Sequence, residues 1–171
     1  MRYQPDFSGI VDPQIWLSAL GITIVYAVGT ILAGMVIGMC GGVMSLSRWR
    51  SVRLPIQNYV QFFRCTPLLV QIIWFYCALP ILAGYSIPAW IAGGLGLTLY
   101  MGAFCSKFFR AGVISNDRGQ WDAARALGLS YLMMMRLIIL PQAARRMVPP
   151  FVNQSVLQLK NTSLLLCRCC P

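Results

Sequence analysis

Polar punctuation divides this chain into long apolar blocks. No charged residue occurs between Asp12 and Arg48, nor between Arg64 and Lys107. The first block exceeds the roughly 20 residues that a helix needs to cross about 30 Å of hydrocarbon, and it predicts one tilted span over 15–46. Within it, Gly34/Gly38 and Gly38/Gly42 are small-x-x-x-small pairs, which let a second helix approach closely. The second block is longer than one helix requires and holds Pro67, Pro80 and Pro88. Its segment LPILAGYSIPAW predicts an external turn, with Tyr85 and Trp90 as interfacial aromatics, so the block reads as two spans over 56–83 and 87–106. A last apolar stretch is short and interrupted by Lys160, which predicts a partial fourth span over 147–166.

Arg64 stands out in this pattern. It follows Arg53 by 11 residues, and a charge carried roughly 16 Å into the membrane by a straight helix needs a partner or a route back to water. Either the segment 54–63 lies along the interface as an amphipathic helix, which is preferred here, or Arg64 faces the bundle interior near its cytoplasmic end.

Composition agrees with the blocks. Of 171 residues 58% are hydrophobic, only four are acidic and none is histidine, and the mean hydropathy of +0.67 lies outside the soluble globular range. The chain is therefore expected in a membrane. Its formal charge of +10 is concentrated at Arg48, Arg50 and Arg53 and over 107–146. Such clustering marks cytoplasmic loops rather than a nucleic-acid surface, and it predicts a multi-pass topology with the N-terminus outside. The start of the chain carries Arg2, Asp6 and Asp12 and does not read as a signal peptide. With no histidine, few carboxylates and no phosphate-binding glycine loop, no catalytic residue, cofactor or ATP site is assigned. Cys40, Cys65, Cys77 and Cys105 are read as small hydrophobes, and the terminal C-R-C-C lacks the histidines or second pair that a metal site would use.

The loop 107–146 contains the clearest local signals. Asp117 is a candidate N-cap with Gln120 as its capping-box partner, opening a helix over about 118–127 that Gly128 ends in a left-handed turn. Ser130 then caps a second short helix over 131–140, and Pro141 is expected to stop it. The residues alone leave two readings open: a folded loop packed on its own spans, or a rigid docking element for a partner protein. A DNA-binding helix-turn-helix is excluded by the flanking spans.

The stretch Asp122-Ala123-Ala124, three residues, Gly128, nine residues, Ile138, one residue, Leu140-Pro141 resembles the EAA loop of the membrane subunits of binding-protein-dependent ABC importers, with aspartate in place of the usual glutamate. The segments NYVQFFRCTPLLVQ and LPQAARRMVPPFVNQSVLQLKNTSLL are similar to the polar amino acid subfamily, and the resemblance runs from about 15 to 165. It implies an all-α, polytopic transmembrane bundle of the type I importer permease kind, a single domain over 1–171 in the bacterial inner membrane. It also implies a permease dimer, homo- or heteromeric, a cytoplasmic ABC ATPase subunit that hydrolyses the ATP, a periplasmic amino-acid-binding protein, and surrounding membrane lipid. By the same resemblance Asp122, Ala123, Ala124, Arg125, Leu127, Gly128 and Pro141 form the ATPase-coupling loop. Arg64, Gln71, Asn153, Gln158 and Lys160 are candidates for the translocation path, although Asn and Gln in such helices also act as interhelical glue.

The chain departs from this pattern at three places. Cys65 stands where the family usually has glycine, and Lys107 where it often has an acidic residue. The ending LCRCCP replaces an apolar helix, and one shift of reading frame converts a coding sequence for Arg-Cys-Cys-Pro into one for Val-Ala-Val. A frameshift truncation before the last helix, leaving an inactive product, is the expectation that resequencing would test. A small self-contained channel or secondary transporter is the alternative reading, to be favoured by charges lining the membrane interior.

Overall fold

The computed structural model describes residues 13–47, 49–84 and 88–169, and among these every regular element is helical. Residues 1–12, Arg48, the tip of the external turn with Tyr85, and the end of the C-R-C-C segment lie outside the described residues.

Helix α1 (Pro13–Ser45) is uncharged throughout, and its stretch Trp16–Ser45 has a mean hydropathy of 2.2. Leu17, Val25 and Val36 on it are exposed. A helix apolar on every face with so little of itself buried requires an apolar medium around it. Its glycines fall on one stripe against α4 (Ala89–Ile114). A Cβ placed on Gly34, Gly38 or Gly42 would lie 2.7, 2.4 or 2.7 Å from Met101, Cys105 and Phe109 respectively. The two helices run parallel at close range because these positions carry no side chain. Cys105 is buried in that seam, whereas Cys40, Cys65 and Cys77 are exposed on the helix surfaces and are not packing residues as expected.

The stretch 56–83 is not one straight helix. It is divided between α2 (Arg50–Cys65) and α3 (Leu68–Ala83), which are bent by 107° at Thr66-Pro67. The cause is local: the proline ring disfavours helical backbone at the preceding residue, and Thr66 is extended at φ −91°, ψ 133°. Gln71, 4% exposed, spans the bend by donating from Nε2 to the Phe63 and Thr66 carbonyls at 2.8 and 2.9 Å. Helix α3 ends at Gly84, which takes φ 73°.

Helix α4 lies at the centre, against α1, α2, α3 and the last helix. Tyr59 of α2 donates to the Leu99 carbonyl at 2.6 Å, and Tyr26 of α1 donates to the Trp90 carbonyl. After α4 come two short helices, α5 (Arg118–Ala126) and α6 (Tyr131–Met134), a π-helical turn over Met135–Ile139, and α7 (Leu140–Cys169).

The expected stop at Pro141 does not occur. Backbone from 131 to 169 is continuously helical, roughly 58 Å along the axis. An internal proline removes a donor and its ring strikes the carbonyl four residues back. Here the turn just before it is widened, with the Leu140 N–H bonded to the Met135 carbonyl five residues back. That wider turn accommodates Pro141 within the helix, so the second helix of the loop runs on into α7.

Candidate functional site

The hairpin formed by α5 and α6 is built on residues that look inward. Ala124, 1% exposed, packs in a cluster with Phe109, Val113, Met134, Ile139 and Ala143. Only a small side chain allows α5 to lie this close, so the role of Ala124 is to seat the hairpin on α4 and α7 rather than to present a surface. Trp121 stacks on Tyr131 across the hairpin at 6.4 Å between ring centroids.

Polar bonds fix the base. The Asn116 side-chain amide is within 3.2–3.5 Å of the Gly112, Val113 and Ile139 carbonyls, bridging the end of α4 to the π-helical turn. Arg146 on α7 donates to the Ser115 carbonyl and, at 3.1 Å, to its hydroxyl. The expected capping box is absent. Asp117 occupies the N-cap position without a side-chain bond, and Gln120 instead accepts from Gln142 of α7 at 3.3 Å. Tertiary contact with α7 has replaced the local partner. The turn itself follows the sequence: Gly128 adopts φ 70°, its N–H bonds to the Arg125 carbonyl at 2.9 Å, and Ser130 caps the next helix by accepting from the Met133 N–H at 3.4 Å.

The outward face carries the remaining loop residues. Asp122, Ala123, Arg125, Leu127 and Gly128 are all exposed, with Asp122 and Arg125 3.8 Å apart. Leu127 is 75% and Leu132 76% exposed, and Met133 and Leu137 continue the apolar surface. A solvent-facing ion pair this open contributes at most about 1 kcal/mol to stability. Clustered bare leucines beside it on a loop rich in arginine form the kind of surface that a protein partner covers. Pro141 is exposed at the edge of this region but inside the helix.

The candidate path residues separate into two groups. Gln71 braces the α2–α3 bend, and Gln158, fully buried, donates to the Leu97 carbonyl of α4 at 3.1 Å. Both hold helices together. Arg64, Asn153 and Lys160 are exposed, and the Arg64 guanidinium lies 5.2 Å from the Phe104 ring centroid, a cation–π contact. Gln154 escaped the sequence reading: it is 4% exposed with an unpartnered Nε2, on the same helix as Gln158. Its spacing of four from Gln158 is the signal that could have found it.

A parallel, glycine-seamed pair of helices, a bent pair beside them, and a hairpin seated on a long final helix together define a membrane permease architecture. The family model described as the binding-protein-dependent transport system inner membrane component matches residues 30–167, and the chain belongs to that family. It is 34% identical to the arginine transport system permease protein ArtQ of Bacillus subtilis, over 94% of this chain and 74% of that protein. It is likewise 34% identical to the glutamate/aspartate import permease protein GltK of Escherichia coli O157:H7, over 95% of this chain and 76% of that one. Among solved structures, a crystal structure of an amino acid ABC transporter with histidines superposes with a TM-score of 0.86 at 30% identity, covering 95% of this chain and 76% of that chain. An inward-facing MetNI methionine ABC transporter, at 21% identity and a TM-score of 0.63, shares the fold. This is an inner-membrane permease of the ABC importer class, and no feature favours a self-contained channel.

Proposed function

We propose that this chain forms the translocation path of an ATP-driven importer for a polar amino acid, and that the hairpin over 118–134 couples it to a separate ATPase subunit. Its relatives carry arginine in one case and glutamate/aspartate in another, and what they share is a polar amino acid cargo. Partners of three kinds follow: a cytoplasmic ABC ATPase, an external amino-acid-binding protein, and a second permease subunit, like or unlike this one. The spans would be α1, the bent pair α2–α3, α4 and α7, with the arginine-rich hairpin in the cytoplasm and the N-terminus outside. The chain itself performs no catalysis.

One observation carries the coupling role. The hairpin exposes Leu127 and Leu132 at its tip while its base is fixed to α4 and α7 by Ala124, Asn116 and Arg146. A surface that binds a moving partner must not deform when that partner moves, and a helix continuous with α7 carries the displacement into the membrane. Closure of the ATPases shifts the permease between inward- and outward-facing states only through contacts that differ between them, and such contacts sit at this tip.

Gly128 gives the test. Space around it is open, so a side chain there meets no neighbour, but φ 70° is unfavourable for a β-branched residue. In the assembled importer, Gly128→Val should reduce both ATPase association and amino acid uptake by about tenfold, at a conformational cost of roughly 1–2 kcal/mol. Gly128→Asn, which tolerates the left-handed region, should restore most of both. Unchanged uptake in the valine variant would overturn the coupling role.

A further inference from the structure

At the basic end of the bundle, where α1 stops, α2 crosses α4 and leaves a cleft of about 360 Å³, within the ~300–1,000 Å³ range of small-molecule sites. Ser45 of α1, Gln57 and Asn58 of α2, and Ser106, Lys107 and Arg110 of α4 line it. No carboxylate is among the lining residues. Ser106 and Ser45 are 1% and 4% exposed, so the floor is deep in the protein. Arg110 is held in place by donating to the Ser45 carbonyl at 3.3 Å, which leaves most of the five donors of its fork open. Lys107 is exposed and has no acidic partner among the described residues. One turn before Gln57, Arg53 has a buried Nε without a hydrogen-bond partner.

Two cationic side chains, Lys107 and Arg110, thus line a recess without a counter-charge, beside amide and hydroxyl donors, with Arg53 one turn away along α2. That arrangement suits an oxyanion with several acceptor oxygens, for which arginine supplies a bidentate fork and lysine a point charge. Ile56 and Val60 of α2 add apolar lining to the cleft, and Met44, Leu54 and Phe62 are exposed apolar side chains elsewhere on the same two helices, α1 and α2. An anionic head in the cleft would therefore have apolar surface of α1 and α2 available to acyl chains attached to it.

We propose that this cleft binds a phosphate group, presented by the headgroup of an anionic phospholipid whose acyl chains lie along α1 and α2. Basic pockets between helices at the cytoplasmic membrane surface recognise such headgroups. A lipid wedged there braces amphipathic α2 against α4 next to the bend at Thr66-Pro67. It requires neither the hairpin nor a transported solute.

The test is native mass spectrometry of the purified full chain in detergent, titrated with dioleoylphosphatidylglycerol or dioleoylphosphatidylcholine, with and without inorganic phosphate. One phosphatidylglycerol should be retained with about tenfold preference over phosphatidylcholine, and Lys107→Glu should remove that preference. Because Lys107 is exposed, the variant's thermal midpoint should match the parent's, and Gln57→Leu should weaken retention by a smaller factor. Equal retention of both lipids, or retention unchanged in Lys107→Glu, would overturn the site. Displacement of the lipid by millimolar inorganic phosphate would overturn the lipid as the source and assign the site to the free ion.

Discussion

Two prolines divide this molecule into a joint and a rod. At Pro67 the chain breaks, Thr66 is extended, and α2 and α3 diverge by 107°. At Pro141 the chain does not break, because a π-helical turn over Met135–Ile139 accommodates the ring and the helix runs on to Cys169. The same residue type gives opposite outcomes because the flanking packing differs. Before Pro141, Ile139 is fully buried in the cluster that seats the hairpin, and Asn116 holds its carbonyl. Before Pro67, Cys65 is exposed and only the Gln71 amide spans the gap. At these two positions the proline breaks the helix where little else fixes the backbone, and is absorbed where a buried core already does.

That contrast can be broken at either end. The largest effect is expected from Ile139→Ala, which empties the core beneath the rod: a loss of about 2–5 kcal/mol, read as a lowered thermal midpoint in detergent with the hairpin released to proteolysis. Gln71→Leu should cost about 1–3 kcal/mol by leaving the Phe63 and Thr66 carbonyls unpaired at the joint, and spin labels on α2 and α3 should show a broadened distance distribution. Pro141→Ala should change stability by no more than about 1 kcal/mol, while slowed amide exchange around residue 140 reports the π turn relaxing toward regular helix. A large loss from that last substitution would mean that the proline, and not the core, specifies the rod.

Much of the hairpin was legible because its signals act within a few residues. Gly128 and Ser130 do what glycine and serine do at helix boundaries whatever surrounds them. The glycine stripe of α1 was legible for the same reason, since a missing side chain is a property of the residue alone. What the sequence hid depended on distant partners. Gln120 forsook its cap for Gln142, Ala124 of the coupling loop packs into the core, and Pro141 was overruled by Ile139. Gln71 and Gln158 could line a path or brace a helix; their Nε2 groups bond the Phe63, Thr66 and Leu97 carbonyls of neighbouring segments, which no sequence spacing foretells. The 107° bend has a local origin at Pro67, and both of its arms pack on α4.

The central claim is that the hairpin and α7 move as one body when the ATPase closes. It is tested most directly by double electron–electron resonance on the importer assembled from this chain, its ATPase and a second permease subunit. Labels would be placed at Leu127→Cys on the hairpin and Val152→Cys on α7, in a background with the seven native cysteines replaced. ATP binding should leave the distance between these labels within one subunit unchanged, while the distance between the two subunits' α7 labels shifts. A hairpin that moves against its own α7, with the α7 pair stationary, would contradict the account.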